Sequence, residues 1–449
     1  MNAMKKMTAL LLAAAMMLGL AACGANTQQP TGATPSATET PTNAPTEAPT
    51  QGTLPKAQAA DLLEGYTARP VEDKQADDAF IKASYEWAAG LFKQVYRTET
   101  EQKTLLVSPL SVVTALAMTA NGAGGNTLKE MEQVLGSGSL SMDDLNAYLH
   151  TYLNSLPSSE RAKFSFANAI WFKDMETFRV KEDFLQKDTD YYDAAIRKAP
   201  FDESTVREIN QWVDQHTDGM IPKLLEQLSE GDRMILINAL VFDAKWAVPF
   251  VESGEDFKQP FTGLDGKKSS ASMMFGEEYS YLEDDTCTGF TKSYANDTYR
   301  FVALLPKDGK DFEGFIDGLT GEQLAALLSN DAEERTIIMV PKFSYDYEVS
   351  LPEALSAMGM RDCFDPYSAD FSGISDTSLY ISDVLHKTHI DLDSEGTRAA
   401  AVTAVMMAES AMPMEPPHEV YLDRPFVYMI VETSTGLPVF MGTVTGFGE

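Results

Sequence analysis

The feature that most restricts the fold is a group of short segments that are apolar at nearly every position. MILINALVF, at Met234 to Phe242, and TIIMV, at Thr336 to Val340, contain no charged residue. A strand that alternates between apolar and polar residues can have one face in water, whereas a strand that is apolar on both faces needs protein packed against each of them. The chain is therefore predicted to contain a large sheet whose central strands are covered on both sides.

Helical patterns surround these strands. DAFIKASYEWAAGLFKQVY, at Asp78 to Tyr96, has apolar residues three and four positions apart, and Ser108 to Ser111 has the sequence of a helix cap. The glycines at Gly122 to Gly125 end that second helix, since no Gly-Lys-Ser/Thr of a phosphate-binding loop follows them.

The C-terminal PFVYMIVETSTGLPVFMGTV predicts a β-hairpin. Further strands are predicted at Phe164 to Phe172, Tyr299 to Leu305 and Tyr380 to Leu392, and further helices at Thr205 to Asp218 and Leu351 to Met358. The predicted fold class is therefore α+β.

The N-terminus has the organisation of an export signal. A pair of lysines precedes an uncharged apolar run, Met7 to Ala22, which is short for a membrane span and ends in small residues. The ending Leu20-Ala21-Ala22-Cys23 resembles the lipobox of bacterial lipoproteins, in which cleavage of the signal leaves the cysteine as a lipidated N-terminus. Residues 1–22 are therefore predicted to be a lipoprotein signal peptide, with Cys23 as the lipidation site. A plain secretory signal with an incidental cysteine is the alternative.

A change of composition separates this signal from the rest of the chain. From Gly24 to about Lys56 the sequence consists mainly of Thr, Pro, Ala and Gln, with almost no large apolar residue. Such a segment cannot bury enough surface to offset the entropy lost on ordering, so it should be an extended tether. No second low-complexity linker follows it. We therefore predict a lipidated cysteine and tether over residues 23–68 and one domain over residues 69–449.

Charge and metal-binding residue types exclude several functions. The formal net charge is -32 and no cluster of positive charge is visible, which argues against nucleic acid as a partner. Cys287 and Cys363 lack metal-binding spacing and cannot form a disulfide framework. His386 and His389 lie in a segment that alternates like a strand, so no metal site is expected there. No cofactor is indicated.

Several motifs then occur in the order found in one protein family. VYLDRPFVYMI, at Val420 to Ile430, fits the serpin signature, and GLPVFMGTV after it resembles the serpin C-terminal strand pair. LLVSPLSVVTALAMTANGAGGNTLKEM, REINQWVDQHTDGMIPKLL and LINALVFDAKWAVPF resemble further serpin segments. The resemblance covers essentially everything after the tether. It implies the serpin fold, with a large central β-sheet, additional sheets, about eight to nine helices and an exposed reactive-centre loop.

The resemblance also implies a function. Serpins inhibit serine proteases as suicide substrates: the exposed loop is cleaved, and its upstream half inserts as a new strand into the large sheet, dragging the acyl-linked protease with it. A monomer that forms a covalent complex with a serine protease is thus expected. An enzyme is not expected, because no nucleophile elbow, zinc motif or Ser-x-x-Lys context stands out.

The loop corresponds to EGTRAAAVTAVMMAESAMPMEPPH, which begins at Glu395. A segment that passes between paired strands should be small, uncharged and compatible with an extended backbone. If Thr397 points inward, Thr403 and Val405 share its face and Arg398 lies on the more accessible face. The hinge implied by the resemblance comprises Glu395, Gly396, Thr397, Arg398, Ala399, Ala400 and Ala401. The composition of this half of the loop favours insertion.

The scissile bond follows from position in the loop. Counting from the hinge glycine, as in inhibitory serpins, places the attacked carbonyl on Ser410 and the leaving amine on Ala411. Glu409, Met407 and Met412 remain alternatives. A small or thioether side chain at this site suits the shallow apolar pockets of elastase-like and subtilisin-like proteases.

The same motifs imply which residues of this chain support insertion. Trp246 resembles the tryptophan beneath the top of the insertion path, a region called the breach. The hydrogen-bonded shutter at the middle of the sheet is implied to comprise Ser108, Ser111, Asn238 and His386.

Two departures from the family pattern lie near the loop. Many serpins have an acidic residue at the position of Arg398. In FDAKW, Asp243 and Ala244 replace the usual Lys-Gly, so the family pattern does not predict the local turn. Arg398 is expected to do little harm, because a long side chain at the mouth of the sheet can reach solvent.

Two other functions remain open. The first is a non-inhibitory serpin that proteases cleave as a substrate. The second, from another class, is a solute-binding lipoprotein, because a lipobox, a tether and a large α/β domain are typical of those proteins too. In each case the signal predicts a location on the extracellular face of a bacterial cell membrane, lipid-anchored or released.

Overall fold

The computed structural model describes residues 59–100, 103–159, 161–251, 257–309, 311–397 and 416–447, apart from the side chains of 164–167 and 296. All of them lie in the unit Pro55–Glu449. The predicted signal peptide, Cys23 and most of the predicted tether lie outside the described residues. Residues 398–401 of the predicted hinge and every candidate for the scissile bond lie outside them as well.

Nine α-helices occur in the described residues. They are α1 (Asp78–Thr98), α2 (Pro109–Ala120), α3 (Gly125–Leu135), α4 (Met142–Ser155), α5 (Glu182–Tyr191), α6 (Glu203–His216), α7 (Phe312–Gly318), α8 (Gly321–Ser329) and α9 (Pro352–Met358). Ser108 caps α2 by accepting a hydrogen bond from the backbone N–H of Ser111, and Pro109 occupies the first helical position. No helix in the described ranges is long and apolar enough to cross a membrane.

Sixteen β-strands complete the α+β architecture of the described residues. They are β1 (Ala60–Asp61), β2 (Leu106–Val107), β3 (Ala162–Lys173), β4 (Ala195–Ala199), β5 (Met234–Lys245), β6 (Lys258–Thr262), β7 (Lys268–Glu283), β8 (Cys287–Ser293), β9 (Tyr299–Pro306), β10 (Ala332–Pro341), β11 (Phe343–Ser350), β12 (Ile381–Leu392), β13 (Gly396–Thr397), β14 (His418–Tyr421), β15 (Phe426–Glu432) and β16 (Pro438–Val444). Every segment predicted to be a strand forms one, because long runs of apolar and β-branched residues favour a pleated, buried backbone.

Two sheets organise these strands. Seven strands form the first sheet, in the order β1-β4-β3-β5-β13-β12-β11. Within it β3 pairs antiparallel with β5, whereas β12 pairs parallel with β5. The second sheet has nine strands: eight follow the order β14-β10-β7-β8-β9-β15-β16-β2, and the ninth, β6, pairs with β7. The predicted C-terminal hairpin is the β15-β16 pair.

The first sheet is covered on both faces, as its sequence predicts. Met234, Leu236 and Leu240 of β5 enter the main core, together with buried residues of α1, α2 and the second sheet. The intervening Ile235 and Ile237 belong to a separate cluster with residues of α6. All twelve residues of α2 are buried. The inner face of the sheet therefore packs on α2 and the second sheet, and the outer face packs on α6.

A short N-terminal stretch extends the first sheet at its edge. β1 pairs antiparallel with β4, with Ala60 opposite Lys198. Arg69 donates to the Asp190 carboxylate of α5 through its backbone N–H and its guanidinium, and the shortest of these contacts is 2.6 Å. The predicted domain boundary at Arg69 therefore lies inside the described fold. Pairing of β1 uses backbone groups, which the composition of a tether does not reveal.

Candidate functional site

The site is a place in the first sheet where two parallel strands separate and a third begins between them. β5 and β12 pair directly as far as Leu240 and Thr388, along a line that we name the seam. Beyond that point β13 lies between them, with Thr397 opposite Ala244 of β5 and opposite Leu392 of β12. The chain therefore turns back after β12 and starts an additional antiparallel strand in the same sheet.

The structure brings the four predicted shutter residues together on the seam. His386 stands opposite Asn238, and its Nδ1 lies 2.5 Å from Asn238 Oδ1. Nε2 of the same ring accepts the backbone N–H of Ser108 at 3.0 Å. Asn238 Nδ2 donates to Ser111 Oγ at 2.5 Å. All four residues are 0% exposed, so these contacts are made without competition from solvent.

The hydrogen bonds define the tautomer of His386. Because Nε2 accepts from the Ser108 N–H, the ring proton lies on Nδ1, which donates to the Asn238 carbonyl oxygen. Burial lowers the pKa of His386 to about 3, and hydrogen bonding to Asn238 acts in the opposite direction. The imidazole is therefore neutral near pH 7 and both of its nitrogens are satisfied.

Asn168 belongs to the same network, although the family motifs did not point to it. It lies on β3, opposite Asn238. Its Oδ1 accepts from Asn238 Nδ2 at 2.7 Å and from Ser111 Oγ at 3.2 Å. A single amide in the apolar segment FSFANAIWF is a buried polar group that needs a partner, and this signal was available in the sequence. The network thus joins three neighbouring strands, β3, β5 and β12, to the start of α2.

Trp246, the predicted breach residue, follows β5 at the level of β13. Its ring stacks on Tyr294 with 4.4 Å between centroids and 12° between planes. Its indole N–H donates to the Asp393 carbonyl at 2.9 Å. Its backbone N–H donates to the Glu395 carbonyl at 2.9 Å. Trp246 therefore holds the turn that joins β12 to β13.

That turn is specified by Asp393 and Gly396. Asp393 Oδ1 accepts the backbone N–H groups of Glu395 at 2.8 Å and Gly396 at 3.1 Å. A side chain at position 396 would not fit, since a Cβ there would lie 2.2 Å from the Ala244 carbonyl oxygen. Close approach of β13 to β5 therefore requires glycine at this position.

Thr397, the last described residue of the hinge, points into the core. It is 1% exposed and its hydroxyl lies 2.6 Å from the hydroxyl of Tyr294. The predicted alternation of the loop assumes that Thr397 points inward, and its burial meets that assumption. Asp243 and Ala244 lie within β5, which continues to Lys245, so the sequence departure falls in a strand and forms no turn.

The remaining candidate residues do not assemble a further chemical centre. His389 lies on the outer face of β12, where its Nδ1 contacts Asp346 Oδ1 at 2.8 Å, whereas His386 points inward. The described part of the chain has no group of three or more side chains able to hold a metal ion. Cys287 and Cys363 are buried free thiols. Burial raises the pKa of Cys287 to about 12, which makes it unreactive near neutral pH.

The first sheet therefore keeps β5 and β12 paired along one part of their length and holds the two residues of β13 between them at the other. Residues 82–446 match the family model for Serpin (serine protease inhibitor). This chain belongs to the serpin family, whose members are generally protease inhibitors and not enzymes.

Individual relatives and a solved structure agree with this assignment. An uncharacterized serpin-like protein of Thermococcus kodakarensis is 32% identical over 344 residues, which cover 75% of this chain and 79% of the relative. Plasminogen activator inhibitor 1 of Bos taurus is 27% identical over 383 residues, covering 82% and 93%. The crystal structure of the thermophilic serpin tengpin in the native state matches with a TM-score of 0.82 and 42% identity, covering 87% of this chain and 100% of tengpin. The similarity therefore extends over nearly all of the folded unit.

Proposed function

We propose that this serpin inhibits serine proteases as a suicide substrate, through cleavage of the loop between β13 and β14 and insertion of its upstream half into the first sheet. The observation that carries the proposal is the position of β13. Its two residues already occupy the place between β5 and β12 that a longer strand would fill, and they do so in antiparallel register. The loop therefore needs only to continue a strand that has begun.

Continuation of β13 in this register gives each inserted residue a defined partner on both sides. Thr403 comes opposite Asn238 of β5 and His386 of β12, on the inner face. Met407 comes opposite Met234, the first residue of β5. The registers of β13 on its two neighbours agree with the register of β12 on β5, so one strand can pair with both. Insertion of residues 398–407 would carry the attached protease roughly 33 Å along the sheet.

Insertion exchanges the direct pairing of β5 with β12 for pairing of both strands with a new strand between them. The backbone ladder of β5 with β12 and the His386–Asn238 hydrogen bond have to break, because the new strand adds about 4.8 Å to the separation of its neighbours. Two backbone ladders, one along each edge of the new strand, replace the one that is lost, and each added hydrogen bond contributes roughly 1 kcal/mol. Burial of Val405 and Met407 on the inner face adds about 1.5–3 kcal/mol for each side chain. The intact protein is therefore metastable relative to its cleaved, inserted form.

The proposed targets are elastase-like or subtilisin-like serine proteases, with Ser410–Ala411 as the bond attacked. The support is chemical: Ser410 is small, the alternatives Met407 and Met412 have thioether side chains, and a shallow apolar specificity pocket accepts such side chains. A basic specificity residue is absent from the candidate positions Met407, Glu409, Ser410 and Met412, which disfavours trypsin-like proteases.

The test is to mix the full-length protein with pancreatic elastase and, separately, with subtilisin. A covalent complex on a denaturing gel, together with a released C-terminal peptide that begins at Ala411, is the expected result. Cleavage without a complex would identify a non-inhibitory serpin, and no cleavage in the loop would contradict the proposal altogether.

A variant that cannot extend the strand provides the control. Ala401→Pro removes a backbone donor in the middle of the inserted segment, so pairing with a neighbouring strand is interrupted. This variant should be cleaved at the same bond as the wild type and should form no complex. Its cleaved form should also melt near the temperature of its intact form, whereas cleaved wild type should become far more heat-resistant.

We also propose that the mature protein is anchored by lipid at Cys23 on the extracellular face of a bacterial membrane. The support is the sequence Leu20-Ala21-Ala22-Cys23 after an apolar signal, followed by the Thr/Pro-rich tether. Expressed in a bacterium, the wild type should partition into the detergent phase of Triton X-114 and Cys23→Ala should not. An aqueous wild type whose mature N-terminus carries no lipid mass would indicate a plain secretory signal.

A further inference from the structure

A charged pair lies buried beneath the hinge. The side chain of Lys292 on β8 is 3% exposed, and its Nζ lies 2.6 Å from Oε1 of Glu278 on β7, whose side chain is 20% exposed. Burial lowers the pKa of Lys292, while the charge and hydrogen bond of Glu278 act in the opposite direction. An ammonium without hydration water needs specific partners, so this lysine is not explained as a solubilising surface residue.

Two aromatic rings complete the surroundings of the Lys292 ammonium. Nζ lies 4.5 Å from the ring centroid of Phe250 and 5.5 Å from that of Trp246, both within the range of a cation–π interaction. The two rings also contact each other edge to face, with 5.6 Å between centroids. Lys292 therefore packs against both aromatic residues of the segment that follows β5.

Those aromatic residues hold three consecutive carbonyl groups of the turn between β12 and β13. The Trp246 indole N–H donates to Asp393 at 2.9 Å. The backbone N–H of Phe250 donates to Ser394 and that of Trp246 to Glu395, each at 2.9 Å. The buried ion pair, the two rings and the turn thus form one continuous set of contacts from the second sheet to the start of the loop.

We infer that Lys292, held by Glu278, is a positioning residue that keeps β13 seated between β5 and β12. Its structural role requires no protease, but its consequence for inhibition rests on the proposed function. Inhibition requires that insertion is faster than hydrolysis of the acyl-enzyme. When β13 is already paired with β5 and β12, the inserted strand can extend from it directly. When β13 has left this position, it first has to return, and more acyl-enzyme is hydrolysed during that delay.

Glu277 and Glu278 offer a matched pair of substitutions on β7. Glu277 forms its ion pair with Arg335 at 2.8 Å, with side chains 40% and 33% exposed, away from the buried ammonium. Hydrogen–deuterium exchange is measured on the intact protein without protease for wild type, Glu278→Gln and Glu277→Gln. We expect Glu278→Gln to accelerate exchange of the Trp246 and Phe250 amides by about ten-fold or more, and Glu277→Gln to leave both unchanged.

Substitution of the lysine gives a second route to the same result. Lys292→Met keeps the length of the side chain without its charge and should also accelerate exchange at Trp246 and Phe250, whereas Lys292→Arg should retain most of the protection. Amides of β15 and β16 are the internal reference, because a general loss of stability would accelerate them as well. The positioning role would be overturned if exchange accelerated equally at all amides. It would also be overturned if neither Glu278→Gln nor Lys292→Met accelerated exchange at Trp246 and Phe250.

The effect on inhibition is measured separately, as the moles of inhibitor consumed for each mole of elastase or subtilisin inactivated. Lys292→Met should raise this ratio several-fold, with cleavage at the same bond as in wild type. If wild type forms no covalent complex, the proposed inhibitory function fails, and the exchange experiment still decides the role of Lys292. Faster exchange with an unchanged ratio would show that seating of β13 does not limit inhibition.

Discussion

His386 Nδ1 lies 2.5 Å from Asn238 Oδ1, and the two residues stand opposite each other on the parallel strands β12 and β5. Their hydrogen bond crosses the seam that a strand would open under the proposed mechanism. Through Ser108 and Ser111 the same two side chains are tied to the start of α2. The seam is therefore closed by a buried polar network as well as by apolar packing, and each part of that network can be tested.

Acidification should destabilise the intact protein through His386. Burial lowers the pKa of His386 in the fold to about 3, whereas a histidine in an unfolded chain titrates near 6.5. The unfolded state therefore binds the proton first. The contribution of neutral His386 to the free energy of unfolding, on the order of a few kcal/mol, is fully present above pH of about 6.5 and is lost progressively as the pH falls toward about 3.

The measurement is thermal unfolding of wild type and His386→Gln between pH 7.5 and pH 4. Wild type should melt several degrees higher at pH 7.5, and the difference in Tm should shrink as the pH falls. His389→Gln, on the outer face of the same strand, is the control for the substitution itself. A difference in Tm that stays constant from pH 7.5 to pH 4 would exclude His386 as the titrating group.

Thr403→Arg should abolish complex formation and leave cleavage of the loop intact. In the register of β13, Thr403 arrives between Asn238 and His386 on the inner face of the sheet. A guanidinium placed there would be buried without a counter-charge, at a cost of several kcal/mol. The readout is a denaturing gel after mixing with elastase or subtilisin. Thr403→Ser should still form the complex, and a complex with Thr403→Arg would show that the inserted strand adopts a different register.

Gly396→Ala should displace β13 from its position between β5 and β12. A Cβ at this position would lie 2.2 Å from the Ala244 carbonyl oxygen and 2.7 Å from the Lys245 Cα, so the strand has to move away from β5. We expect the intact protein to lose roughly 1–3 kcal/mol of unfolding free energy, measured by thermal unfolding. Gly318→Ala is the matched control, because a Cβ there has no neighbour within 4 Å. Equal melting of the two variants would mean that the backbone at 396 adjusts without cost.

The sequence predicts those parts of the fold that have a local pattern. β5 is apolar on both faces, and its residues do enter two different clusters, as Leu236 and Ile237 show. Ser108 with Pro109 defines the start of α2, because a cap and a fixed φ angle act within a few residues. Such features depend on neighbours in the chain, so a single sequence contains them.

Other parts depend on partners that are distant in the chain. The amide of Asn168 is identifiable as a buried polar group, but its pairing with Asn238 depends on the register of β3 on β5. β1 and β13 have two residues each, too few for any periodicity, and they are defined by the strands beside them. Lys292 in sequence is an ordinary charged residue. Its burial follows from contacts with Glu278 of β7 and with Trp246 and Phe250 of the segment after β5.

The charge of Arg398 should stabilise the inserted form. Extension of β13 by one residue would bring Arg398 opposite Asp243 of β5 and Asp391 of β12, on the outer face. An acidic residue at position 398 would instead meet these two carboxylates. The departures at Arg398 and Asp243 should therefore compensate each other in the inserted form.

Arg398→Glu tests this arrangement by replacing attraction with repulsion on the cleaved protein. Because the outer face is partly accessible to solvent, each ion pair contributes about 1 kcal/mol or less, so the cleaved form should melt a few degrees lower while the intact form melts unchanged. Combining Arg398→Glu with Asp243→Asn and Asp391→Asn should recover most of the loss, since the repelling carboxylates are then removed. The expected losses should also decrease in high salt, which screens exposed charges. If cleaved Arg398→Glu melts at the same temperature as cleaved wild type, Arg398 does not lie between the two aspartates.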